Sequence, residues 1–283
     1  MRQIFPADTA AAEIGPAERG ETGQAAQSAV MALSDLYAYP ASETRAAPWL
    51  RANMVVSADG AAALAGRSGG LSGRADRLVF SVLRSLADVI LVGAGTVRVE
   101  RYRPVVEREI WPALRYGRAP TPPIAVMTRD LSLDPDGPLL AGAPAGSRTI
   151  VLTTAAAPAD RRAAVARHAN VVVFGQDDLT PAAAIGALAE RGYRRLLTEG
   201  GPRLLTQFTA AGLLDDLCLT ISPVLEGGWA GRILTAPEAA SDGAPGQVRP
   251  ETADGPQTTL GLRLAHVLED QGSLLCRYLR DTG

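Results

Sequence analysis

Residues 89–96 read VILVGAGT. Four consecutive apolar residues run straight into a Gly-Ala-Gly-Thr turn. A short continuous apolar run closed by glycine is the pattern of a strand buried on both faces, as in a parallel sheet covered by helices. The pattern recurs outward along the chain. Ile124 to Met127, Thr149 to Leu152, Val171 to Phe174 and Arg195 to Leu197 read as further buried strands. Between them lie helical stripes. Ala75, Leu78, Val79, Val82, Leu83 and Leu86 recur at helical spacing behind Ser72, a candidate cap. Ala159 to Arg167 reads as helical, Thr180-Pro181 starts another helix, and Leu204, Leu205, Phe208 and Ala211 mark one that stops at Gly212. Upstream, Leu50 to Ser57 reads as a strand turned by Asp59-Gly60, and Leu217, Leu219 and Ile221 mark another. Leu262 to Leu268 and Leu274 to Leu279, joined at Asp270-Gln271-Gly272, read as an antiparallel hairpin. The expected class is α/β: a mainly parallel mixed sheet flanked by helices, with the C-terminal hairpin at its edge.

The expected organisation is an N-terminal extension, residues 1–47, followed by one domain over 48–283. Residues 1–26 carry no periodicity and are expected to be mostly disordered. Val30, Leu33, Leu36 and Tyr37 form a short helical stripe ended by Pro40. Residues 236–259, rich in Pro, Gly, Asp and Ala, read as a mobile surface insertion.

Composition excludes several functions. The 283 residues carry 28 basic and 30 acidic side chains, so no global basic field points to nucleic acid. Every basic residue is arginine, which excludes Schiff-base chemistry and a P-loop lysine. No apolar run is long enough for a membrane span, and no secretory signal is evident. Cys218 and Cys276 fit no ligand spacing, so a reduced cytoplasmic protein without structural zinc is expected. His168 and His266 have no carboxylate spacing that would make a metal site or a triad, and no metal is expected.

Two glycine turns stand where ligands bind in open α/β sheets, at strand C-terminal ends. In Gly93-Ala94-Gly95-Thr96 the glycines admit a phosphate or flat ring, although Arg98 stands where a third glycine would complete the dinucleotide fingerprint. In Thr198-Glu199-Gly200-Gly201-Pro202, consecutive amides before a helix suit a pyrophosphate. A plain structural turn is the alternative for both. Arg129, just after a strand, is a candidate for a ribose 2′-phosphate, or a solvated loop arginine. Arg101, Arg103, Arg108, Arg115 and Arg118 crowd a Pro-containing loop that could hold a phosphorylated substrate, or face solvent singly. Ser57 and Asp59 close the first strand as a turn or as part of a site, and Arg84 lies on the polar side of its helix.

The order of these motifs resembles the C-terminal reductase domain of the RibD family. WLRANMVVSADG (49–60), GAGT (93–96), Thr128-Arg129, TEGGP (198–202) and ISPVL (221–225) occur in one succession. The resemblance covers about residues 30–280 and is nearest the stand-alone actinobacterial pyrimidine reductase branch. It implies a dihydrofolate-reductase-like fold, a cytoplasmic homodimer, and NADPH-dependent reduction of the ribosylamino group of a phosphorylated aminopyrimidine, 5-amino-6-(5-phosphoribosylamino)uracil. By the same resemblance, Val56 and Ser57 adjoin the nicotinamide. Gly93, Gly95, Thr96, Gly200, Gly201, Pro202 and Leu204 touch the cofactor, and Thr128 and Arg129 meet its adenosine phosphate. Asn53, Arg84 and Arg103 bind substrate, with Glu199 and Asp59 as catalytic candidates. The family's zinc deaminase pattern is absent. Asn53 replaces a lysine common in the family, and Glu107 stands near the place of an expected arginine. A dihydrofolate or pterin reductase, and a non-catalytic NADPH-binding protein, are the competing readings.

Overall fold

A computed structural model describes residues 1–6, 23–40, 47–109, 111–235 and 259–282. In chain order the elements are β1 (Arg2–Phe5), α1 (Gly23–Leu36), β2 (Trp49–Ser57), α2 (Arg74–Leu86), β3 (Val89–Gly93), α3 (Ala94–Val99), α4 (Trp111–Leu114), β4 (Ile124–Met127), α5 (Pro138–Ala141), β5 (Ile150–Thr153), α6 (Ala159–Ala166), β6 (Asn170–Val173), α7 (Pro181–Ala189), β7 (Arg195–Thr198), α8 (Pro202–Ala210), β8 (Asp216–Ser222), β9 (Leu262–Asp270) and β10 (Ser273–Arg280). The strands form one sheet in the order β1-β9-β10-β8-β2-β7-β3-β4-β5-β6. From β8 to β6 every pairing is parallel. The β1, β9 and β10 end is antiparallel. The mixed α/β sheet with an antiparallel end is the expected class.

Strand residues alternate between two cores because successive side chains point to opposite faces. Ile90, Val92, Ile124, Val126 and Val151 pack with α1 and α2 residues such as Leu33, Val79 and Leu83. Val89, Leu91, Ala125, Met127 and Leu152 pack with Leu188 of α7 and Leu205 and Phe208 of α8. Thr180 caps α7 through Oγ1, which accepts from the Ala183 amide at 3.3 Å, and Pro181 follows at the first turn. The hairpin turns on Gln271 and Gly272, both at positive φ (50° and 81°), as a two-residue turn between twisted strands requires.

The structure corrects three expectations. Residues 2–5 are ordered as β1 on β9, and the Met1 amine meets Asp270 at 3.3 Å, so the sheet extends one strand beyond the hairpin; residues 7–22, the greater part of the stretch expected to be disordered, lie outside the described residues. The cap residue of α2 is Gly73, while the Ser72 hydroxyl donates to the Asp76 carboxylate instead. Arg115 and Arg118 are spent on backbone carbonyls. Arg115 donates to the Ser85 and Ala87 carbonyls (2.9 and 2.7 Å) and Arg118 to that of Leu86 (2.9 Å), so both close the C-terminus of α2. Burial lowers the Arg115 guanidinium to about 10. The expected insertion over 236–259 lies, save its last residue, outside the described residues.

Beneath α1 lies a buried ion network. Asp216 on β8 and Arg51 on β2 are both fully buried and paired at 2.7 Å. Arg277 on β10 approaches the same carboxylate at 2.9 Å. The two guanidiniums also donate to the Tyr37 and Leu36 carbonyls, each at 2.7 Å, at the end of α1. Two cations thus meet the negative end of that helix and fasten it to the sheet. Burial alone would raise the Asp216 carboxyl, but Arg51 and Arg277 outweigh it and hold it below the usual carboxylate range.

His266 packs edge-on against Tyr37, ring centroids 4.7 Å apart. Burial, with Arg277 nearby, lowers its imidazole to about 4. A histidine held neutral in the fold costs stability once the unfolded chain can protonate it, so stability falls as pH drops below about 6.5 and levels near 4. The unfolding free energy should therefore drop by about 2 kcal/mol between pH 7 and pH 5. Urea titrations at both pH values, with His266→Gln flattening the dependence, check this.

Candidate functional site: a crevice between two diverging strands

The chain leaves β3 toward β4, on one side of the sheet, and leaves β7 toward β8, on the other. Adjacent parallel strands whose following connections diverge open a crevice at their carboxyl ends. Here β3 and β7 are those neighbours, paired in register Val89 with Leu196 through Leu91 with Thr198. The crevice is therefore flanked by Gly93–Thr96 and Glu199–Pro202, the two glycine segments singled out in the sequence. They touch directly. The Gly201 amide donates to Thr96 Oγ1 at 2.8 Å, and the Gly93 amide reaches the Gly200 carbonyl at 3.4 Å.

The glycines of the second segment serve this contact. Gly200 has φ +88° against the Met54 sulfur, and a Cβ on Gly201 would fall 2.5 Å from Thr96 Oγ1. The Gly200 amide donates to Thr198 Oγ1 at 3.3 Å. Both amides are thus spent inside the protein, which corrects the expectation that they hold a pyrophosphate. At Gly93 and Gly95, by contrast, an added Cβ would meet nothing within 4 Å, because both line the open cleft.

That cleft has a volume of about 1190 Å³. Its wall includes Asn53, Arg84, Gly93, Gly95, Thr96, Arg103, Thr128, Arg129, Glu199, Pro202 and Leu204, all expected from the sequence. Val56, Ser57, Gly200 and Gly201 are not part of it; on β2 the wall is Asn53, Met54 and Val55. Asp59 also stands apart from the wall. Its carboxylate accepts from Ser57 Oγ at 2.6 Å and the Glu226 amide at 3.0 Å. The Glu226 and Ser57 hydrogen bonds keep the Asp59 carboxyl below its ordinary range. It clamps a turn and is a poor proton donor, against the catalytic expectation.

The cleft wall carries nine arginines and four acids, although the whole chain is net −2. Positive charge is concentrated here, which suits a ligand with several phosphates. At its centre, Glu199 receives a two-pronged bond from Arg84, Nε to Oε1 at 2.6 Å and Nη2 to Oε2 at 2.7 Å. The Tyr102 hydroxyl donates to Oε2 at 2.7 Å. Arg84 also stacks on Phe80, 4.2 Å from the ring centroid. Burial opposes its charge, but Glu199 outweighs that and holds the guanidinium above its ordinary range. Burial, then the Glu199 charge, raises the Tyr102 phenol, so it donates rather than ionises. Sequence reading missed Tyr102 and the Arg84–Glu199 pair. The partners lie 97 and 115 residues from Glu199, and no local spacing announces them. Among the described residues no group of His, Cys, Asp and Glu could hold a metal, and no helix is long and apolar enough to cross a membrane.

A mainly parallel sheet with an arginine-rich cleft at its strand-divergence point defines an α/β protein of the kind that binds ligands at the carboxyl ends of its strands. The chain belongs to the RibD C-terminal domain family, whose match spans residues 48–270. It is 28% identical to the 2,5-diamino-6-ribosylamino-4(3H)-pyrimidinone 5′-phosphate reductase of Archaeoglobus fulgidus, over 64% of this chain and 83% of that one. It is 28% identical to the reductase of the same name from Methanothermobacter thermautotrophicus, over 69% and 87%. Among solved structures it superimposes on a pyrimidine reductase-like protein of Corynebacterium diphtheriae with TM-score 0.74 and 25% identity, covering 89% of this chain and 99% of that one.

Proposed function

We propose that this protein is an NADPH-dependent reductase of a phosphorylated ribosylaminopyrimidine, the reaction class of riboflavin biosynthesis. The observation that carries the reading is the arginine-rich crevice where Gly93–Thr96 meets Glu199–Pro202. The residues present fit a dinucleotide. Gly93 and Gly95 leave open space where side chains would otherwise stand, and Arg129 is exposed at the cleft with no hydrogen-bond or ion-pair partner among the described residues. NADPH, when bound, supplies a hydride to the ribosylamino carbon; with one proton reaching nitrogen, the C=N bond of the opened sugar becomes CH–NH.

The protein's own contribution is orientation and charge. The open backbone at Gly93 and Gly95 lets a cofactor lie against β3. Arg129, beside Thr128, takes the 2′-phosphate. Pro202 and Leu204 at the start of α8 border the pyrophosphate. Arg103 faces the substrate phosphate, and Asn53 the heterocycle side of β2. Glu199, fixed by Arg84 and Tyr102, stands over the sugar and holds it in reach of the hydride. The buried, unpaired thiols of Cys218 and Cys276 suit a reducing cytoplasm. A homodimer through the β1 edge, where Ile4 and Phe5 are 41% and 42% exposed, completes the reading.

The test is NADPH oxidation on adding the ribosylaminopyrimidine phosphate. Arg129→Ala should raise the Kd for NADPH by about 10- to 100-fold, the worth of one charge-assisted hydrogen bond, while leaving that for NADH within threefold or so. Equal losses for both cofactors would place the 2′-phosphate elsewhere.

A further inference from the structure

The cleft lies at the carboxyl ends of the strands. A second, smaller cavity lies at the other end of the sheet, where β5 and β6 begin. Its volume is about 440 Å³, within the range of small-molecule sites. Arg148, Asn170, Arg191 and Tyr193 supply its polar wall, and apolar residues around β5 and β6 supply the rest. Among the described residues no acid lines it. Both guanidiniums are held in place by helix ends. Arg148 donates from Nε to the His168 carbonyl at 3.2 Å and from Nη2 to that of Arg167 at 2.9 Å, just past α6. Arg191 donates from Nη1 to the Ala187 carbonyl of α7 at 2.7 Å. Cations commonly close helix ends in this way, but here the contacts do not exhaust either side chain. Arg148 Nη1, and Arg191 Nε and Nη2, have no acceptor among the described residues, and neither arginine has an ion-pair partner there. The Tyr193 hydroxyl and the Asn170 carboxamide likewise have no protein partner among the described residues. Burial raises the Tyr193 phenol, so it stays protonated and able to donate. Asp88, whose charge reaches Tyr193, is not part of the wall; Arg118, Arg195 and the amides of Arg194 and Arg195 already engage it.

Two fixed cations and two neutral polar groups thus face one space without a countercharge. We infer that this cavity is a second anion site and that it takes a phosphate group, free or as a small monoester. The free Nε and Nη2 of Arg191 are the same pair of nitrogens with which Arg84 grips Glu199, a fork that matches two oxygens of one anion. Arg148 adds the two N–H groups of Nη1, and Tyr193 a hydroxyl donor. A phosphate has enough acceptor oxygens to meet all three at once, whereas a carboxylate has two. None of these residues lines the larger cleft, so the site stands whether or not that cleft belongs to a reductase.

Calorimetric titration of the full chain with inorganic phosphate and with glycerol 3-phosphate tests this. The wild-type protein should bind at least one of them with a millimolar or tighter Kd. Arg191→Gln should weaken that binding by about tenfold or more, the worth of a charge-assisted fork. Tyr193→Phe, which touches neither helix end, should weaken it by about three- to tenfold with the melting temperature unchanged. Where Arg191→Gln also lowers the melting temperature, Tyr193→Phe carries the test. The double variant Arg103→Ala, Arg129→Ala strips charge from the cleft and should leave this binding step as it is. Tighter binding of glycerol 3-phosphate supports a monoester, and equal or tighter binding of phosphate supports the free ion. Binding that the cleft variant abolishes, with Arg191→Gln and Tyr193→Phe like wild type, overturns the inference, as does no binding of either probe at about 10 mM.

Discussion

Asp216→Ala is expected to lower the unfolding free energy by about 3–5 kcal/mol, the cost of removing one partner from a buried ion pair. Asp216 is fully buried and is the carboxylate partner of both Arg51 and Arg277. Without it, two guanidiniums remain inside the protein facing each other. Both would still bond the carbonyls at the end of α1, but their repulsion works against that anchorage. The loss should therefore spread to α1: amide exchange in Ala29 to Tyr37 should accelerate more than in β3 to β5. Urea denaturation measures the first effect and hydrogen exchange the second. A loss below about 1 kcal/mol would mean that the network is far better hydrated than its burial indicates.

The second large effect falls on activity. Glu199→Gln keeps the shape of the side chain and removes the charge that fixes Arg84. One Arg84 bond then faces an amide nitrogen that cannot accept it. A kcat/KM loss of about 100-fold is expected, the scale of a substrate displaced by about 1 Å. The thermal midpoint should move by only a few degrees, because the Arg84 side chain is 20% exposed and opens on the cleft, unlike Arg51 at 0%. Stopped-flow NADPH oxidation and a melting curve on one preparation separate the two. A stability loss as large as that of Asp216→Ala, with kcat/KM little changed, would make Glu199 a structural residue.

The fold was legible where chemistry is local. Apolar runs such as Ile124–Met127 admit few alternatives to a doubly covered strand, and Thr180-Pro181 marks its helix start unaided. β1 was not legible, because Arg2 to Phe5 has no pattern of its own and becomes a strand only by pairing with β9. Of the site, Gly93–Thr96 and Glu199–Pro202 could be found because glycine records a backbone requirement. The nature of that requirement was misread for Gly200 and Gly201, which need closeness to Met54 and Thr96 rather than to a ligand. Charged residues were the least legible. Arg115, Arg118, Arg51 and Arg84 look alike along the sequence. Distant carbonyls and carboxylates make the first two a helix cap, the third a buried anchor and the fourth part of the cleft.

A crystal structure with NADP⁺ would locate the cofactor proposed for the crevice between β3 and β7. The pyrophosphate should lie between residues 94–96 and the first turn of α8, with the 2′-phosphate within hydrogen-bond distance of Arg129. A dinucleotide bound elsewhere, leaving that crevice to solvent, would rule out this crevice as the cofactor site.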